Sequence, residues 1–224
     1  MPEDPNQVYP HATGGAHTTC QRHQQEAELV LNGSWFCPFV QRTWIVLEEK
    51  KLPYQWNEVN PYKKDPAYLA KNPKGLRALG RMMMDHIAKK IVAVFFRLQQ
   101  AQETEKQKAA EKDLLAGITD FVQAMDPEGP FFFGDWFSMV DIMLAPWLFH
   151  TPTAFKQFKG FEIPFSGSPI FDRFGKWADA CSKRQSVLDT TSHLEHYLQI
   201  LKKFANDTMV SVAAKETREG KLFT

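Results

Sequence analysis

The sequence predicts a mainly α-helical chain in which one small α/β unit is followed by an all-α helical bundle. Two observations carry this. Two short strand-like runs bracket an amphipathic helical run between residues 27 and 59, and beyond Gly75 apolar residues recur at helical spacing. A strand–helix–strand unit of that size closes as a right-handed βαβ crossover with parallel strands.

Taken in order, residues 1–25 are polar, mix Pro, Gly, His, Gln and Thr without periodicity, and read as a disordered tail. Within them His17-x-x-Cys20-x-x-His23 has metal-like spacing but lacks a fourth ligand, so no metal site is assigned. Ala27–Asn32 reads as the first strand. The helix is expected from Pro38 to about Lys51, ended by Leu52-Pro53, and Tyr54–Val59 alternates as the second strand.

The corner between them is Gly33-Ser34-Trp35-Phe36-Cys37-Pro38-Phe39-Val40-Gln41-Arg42. Proline is favoured at the first helical position, where its missing N–H would have no partner anyway. Cys37 then falls at the N-cap, facing free amides and the positive end of the helix dipole, a placement that favours thiolate over thiol. The alternative is a buried structural cysteine that happens to precede a proline.

After a basic loop and a short helix from Pro66 comes Asn72-Pro73-Lys74-Gly75. Met84 to Leu98 and Leu114 to Met125 form two apolar helical stripes. Asp126-Pro127-Glu128-Gly129-Pro130 is a turn, followed by an apolar loop, Phe131–Asp135. Ser138-x-x-Asp141 has the form of a capping box before a run that is apolar all round, as in a buried helix, with Pro146 expected to kink it. His150 to Gly167 reads as an aromatic loop that either covers the bundle or lines an apolar cleft. Ser168-Pro169 opens a helix to Cys181, whose thiol reads as inert, and a last helix runs from about Ser192 to Phe204. Domain limits are set at 26–76 and 77–205, with 206–224 as a polar tail that frays or forms a short amphipathic turn.

The formal net charge of +1 points to neither nucleic acid nor an anionic membrane as partner. No apolar stretch is long enough to span a bilayer, and no secretory signal is expected. Three widely spaced cysteines are not a disulfide framework, so a reducing, cytoplasmic setting is expected.

Phe36-Cys37-Pro38-Phe39-Val40-Gln41-Arg42, the loop ending Asn72-Pro73-Lys74-Gly75 and the Ser138-x-x-Asp141 box, in that order, resemble the cytosolic glutathione transferases. A cysteine at the corner, where other classes carry serine or tyrosine, is similar to the omega class and its fungal relatives. The resemblance implies a thioredoxin-like N-terminal domain that holds glutathione as co-substrate and an all-α C-terminal domain. It also implies thioltransferase or reductase chemistry on small-molecule or protein disulfides, with Cys37 forming a mixed disulfide with glutathione. Pro38 and Phe39 would border the sulfur, and Lys63 or Lys64 would contact glutathione, although Asp65 aligns best with the family's lysine. A homodimer is the assembly to look for.

The sequence departs from the family in one respect. The family follows the Asn-Pro-x-Gly loop with a cis-proline strand, a hairpin and a Glu-Ser pair that grip glutathione. Here Leu76-Arg77-Ala78-Leu79-Gly80-Arg81 leads directly into the first helix of the bundle. About thirty residues are missing at ordinary element lengths. The N-terminal unit is therefore expected to be truncated, and the alternative function is a non-catalytic scaffold or interaction module of the same fold.

Overall fold

Strands β1 (Val30–Gly33) and β2 (Gln55–Glu58) pair in parallel, with Leu31 opposite Trp56 and Gly33 opposite Glu58. They make the two-stranded sheet of the expected βαβ unit, in a computed structural model that describes residues 9–59 and 85–222. The connecting helix is α2 (Pro38–Glu49), which buries Gln41, Trp44 and Ile45. Gly33 is required where β1 ends: a Cβ there would lie 2.3 Å from the Val40 Cγ1, so a side chain would push α2 off the sheet.

The bundle follows. A π-helical stretch, Ile87–Val92, runs straight into α3 (Ala93–Gln100), and α4 (Thr104–Gln123) packs antiparallel to it. The two backbones come so close that a Cβ on Gly117 would meet the Lys90 carbonyl oxygen at 2.4 Å. Helix α5 (Met139–Leu144) tightens at Pro146 into a 3-10 turn, Ala145–Trp147, because proline cannot continue the α ladder. Helices α6 (Thr151–Lys159), α7 (Pro169–Ser182), α8 (Gln185–Leu188), α9 (Leu194–Ala205) and α10 (Val212–Arg218) complete the chain. Among the described residues the fold is thus a small α/β unit followed by a helical bundle, as the sequence predicts. The loop and short helix expected after residue 59, and the segment replacing the missing hairpin, lie outside the described residues.

Three expectations are corrected. The N-terminal tail is ordered over much of its length: α1 (Gly14–Arg22) forms and buries Ala16, Thr19 and Cys20. Ala12, Ala16 and Cys20 make an i, i+4, i+8 stripe of small side chains, too slight to register as periodicity but enough to pack beside Trp35, Trp44 and Trp56. The Thr13 amide donates to Ser192 Oγ, and Arg22 pairs with Glu48 at 3.1 Å. The second correction is α6, within the segment read as a loop. Pro152 in its first turn starts it, and Gly160 at φ +65° ends it. The aromatic residues of that stretch cover the bundle, with Phe155 fully buried. Third, the C-terminal tail holds α10, capped by Ser211 and docked through Ala214, whose carbonyl accepts from Gln100.

The capping box forms. Ser138 N–H and Oγ–H both donate to Asp141, which is completely buried and also accepts from the Phe132 amide and the Trp177 indole. One carboxylate thus closes the start of α5, the aromatic loop and the face of α7. Replacing Asp141 by Ala is expected to cost about 3 kcal/mol or more, because several buried donors lose their acceptor together. The urea midpoint against wild type checks this.

His150, at the start of α6, stacks on Tyr197 at 3.8 Å, and its Nδ1 has no partner among the described residues. Burial pushes its imidazole down to about 3 from 6.5. Below pH ~6.5 the unfolded chain therefore takes up a proton that the folded chain refuses. The stabilisation is complete above that pH and drains away as pH falls toward 3. Relative to His150→Phe, wild type is expected to lose up to about 1.4 kcal/mol per pH unit across this window, read from urea midpoints.

Candidate functional site

The site is built where β1 meets α2. Cys37 is at the N-cap with extended dihedrals (φ −85°, ψ 111°), and Pro38 occupies the first helical position. The Cys37 N–H donates to the Ser34 carbonyl at 3.0 Å, and the Cys37 carbonyl accepts from Gln41 N–H, so the corner backbone is fixed on both sides. Trp35 anchors the loop: it is buried, its amide donates to Glu58, and its indole donates to the Tyr9 carbonyl.

The sulfur is half-buried. Crowding by surrounding protein atoms is the largest influence on it and pushes the thiol above its ordinary range. The amides of Val40 and Phe39 and the Arg42 guanidinium act the other way, in that order. The thiol makes no well-formed cap hydrogen bond, so these amides work through their partial charges at the helix start. The expectation of an easily ionised thiol is corrected accordingly: the donors are in place, but loss of water outweighs them.

Arg42 is the residue that the sequence reading did not single out. Its Nε and Nη2 donate to the Met143 carbonyl at 2.9 and 2.7 Å, near the end of α5. Its guanidinium sits 4.6 Å from the Trp147 ring centre and 5.3 Å from that of Phe39. Burial lowers it to about 10, and Cys37 opposes that shift. A cation five residues after a corner cysteine faces back along the helix, and that spacing is the signal that could have found it.

Of the other expected site residues, Phe39 offers the sulfur its amide, while its ring packs edge-on against Trp147 (5.5 Å) and parallel to Phe96 (6.4 Å). Pro38 holds the helix start. Lys63 and Lys64 lie outside the described residues. The other two cysteines are buried: Cys20 is pushed up to about 12 by desolvation, and Cys181 is raised well above its ordinary value by the same cause. His17 and Cys20 line a cavity of about 130 Å³ beside His11 and Glu58, but His23 is turned away, with its ring against Tyr54 and its Nε2 3.1 Å from Glu48.

A family model for the glutathione S-transferase N-terminal domain matches residues 36–86, starting at this corner, and one for the C-terminal domain matches residues 81–190. The chain belongs to the glutathione S-transferase family. It is similar to glutathione transferase Omega 3C from Trametes versicolor, at 37% identity and a TM-score of 0.77, over 90% of this chain and 100% of that one. It is 25% identical to the probable cytosolic glutathione S-transferase DHAR1 of Oryza sativa subsp. japonica over 191 residues, 72% of this chain and 87% of the relative. Rice GST1, solved in complex with glutathione, shares the fold at 19% identity and a TM-score of 0.67, over 81% of this chain and 100% of that one. Among the described residues no helix is long and apolar enough to cross a membrane.

Replacing Arg42 by Met removes the cation that lowers the Cys37 thiol and is expected to raise it further. The pH profile of iodoacetamide alkylation should shift to the alkaline side of wild type, with circular dichroism checking the fold.

Proposed function

We propose that this chain is an omega-like, glutathione-dependent thioltransferase in which Cys37 exchanges with disulfides through a mixed disulfide with glutathione. The observation that carries the reading is the convergence of the Val40 and Phe39 amides and the Arg42 guanidinium on one half-buried sulfur at the β1–α2 corner. The likeness to an Omega 3C transferase supports it. In the first half-reaction the Cys37 thiolate attacks the glutathione sulfur of a substrate–glutathione mixed disulfide, that S–S bond breaks, and the substrate thiolate leaves and takes up a proton. In the second, a glutathione thiolate attacks the glutathione sulfur of the mixed disulfide, and oxidised glutathione departs. The helix-start amides and Arg42 lower the free energy of the Cys37 thiolate, which is the leaving group of that second step.

A second reading rests on the same sulfur. Because burial pushes the Cys37 thiol up, little thiolate is present at neutral pH in the free protein, which favours a scaffold of this fold without turnover. The two separate cleanly. If the enzyme reading holds, glutathione-dependent reduction of a mixed-disulfide substrate is abolished in Cys37→Ser, and the wild-type rate rises with pH as the raised thiol ionises. Equal, background rates in both forms establish the scaffold. Without a cis-proline strand and Glu-Ser pair, glutathione itself is expected to bind at about millimolar strength by calorimetry, since each missing charge-assisted contact is worth about 1.5–3 kcal/mol. Micromolar binding would remove the deletion argument.

A further inference from the structure

We propose that His193, Glu195 and His196, at the start of α9, bind a divalent transition-metal ion, with Zn²⁺ the best match. One ligand atom from each of the three lies within 4.8 Å of the others, and His196 Nε2 is 3.6 Å from a Glu195 oxygen. Two imidazoles and a carboxylate are the donor set that zinc takes in sites keeping one position open to water. Ligand atoms bound to one zinc ion at about 2.0–2.2 Å sit closer together than these do, so the side chains must turn inward. His193 and Glu195 are solvent-exposed and can turn without disturbing the core. The third ligand is already fixed. The His196 ring stacks on Tyr9 at 3.8 Å and meets Trp35 edge-on at 6.3 Å.

Two effects weaken the binding. A cation at a helix N-terminus meets the positive end of the dipole, a penalty of up to about fivefold in affinity. If Nε2 binds the ion, the ring proton sits on His196 Nδ1, which is buried without a partner among the described residues. Both lower the affinity without removing the site, so micromolar binding is expected.

The location gives the site its consequence. The His193 amide donates to Thr13 Oγ1 at 2.9 Å, and a Cβ on Gly14 would lie 2.9 Å from the His193 ring. Tyr9 covers His196. An ion that fixes both imidazoles would therefore hold residues 9–14 against α9 and would raise the melting temperature.

The test is a titration of the full chain with Zn²⁺ by calorimetry and with Co²⁺ by visible absorption. One equivalent should bind with a Kd in the micromolar range, with no thiolate-to-cobalt charge-transfer band. His193→Gln and Glu195→Gln, both at exposed positions, should each weaken binding about tenfold or more, while His17→Gln leaves it unchanged. No binding tighter than about 100 µM, affinity unchanged in both α9 variants, or a charge-transfer band reporting Cys20 would overturn the proposal. Circular dichroism of each variant establishes that any loss is local.

Discussion

Everything in this molecule hangs on how α2 is gripped by the helices that follow the α/β unit. A two-stranded sheet is marginal alone, and its single connecting helix would not hold it. Here α2 is tied to the bundle along its length. Gln41, buried, donates to the Thr190 carbonyl and to the hydroxyls of Thr190 and Thr191. Arg42 holds the Met143 carbonyl. Glu49 accepts from Arg184 and from Ser186 at the other end. Because the partners of Gln41 and Arg42 are backbone carbonyls and short hydroxyls with fixed positions, they set the azimuth of α2 and therefore the direction in which its first turn faces the sulfur.

The same grip explains the electrostatics of the corner. Packing α2 into the bundle brings Arg42 close to Cys37, but it also removes water from the thiol. The favourable charges and the desolvation are two results of one packing arrangement, and the second is larger.

The N-terminal residues belong to this arrangement. His23 stacks on Tyr54 and meets Glu48, and Tyr54 donates to Glu48 while accepting from the Trp44 indole at 2.6 Å. Helix α1 is thereby stapled across α2 and β2, and its Ala16 amide donates to the Thr191 carbonyl between α8 and α9. The unit that looks small in the sequence gains a second layer, built from Ala16, Cys20 and the surrounding tryptophans, that buries the sheet's otherwise weak face.

The sequence by itself determined what local chemistry can encode. A short apolar run marked β1 and an alternating one β2, proline after cysteine marked the start of α2, and Ser138 with Asp141 marked the start of α5, because each signal is complete within a few residues. Helical spacing likewise marked α3, α4, α7 and α9. It did not determine α1, α6 or α10, whose apolar faces are too short to register as a period and which form because a partner surface is waiting. Nor did it determine the state of the Cys37 thiol. That depends on the balance between dipole, cation and lost water, and only the tertiary structure decided it, by seating α2 so deeply that burial prevails.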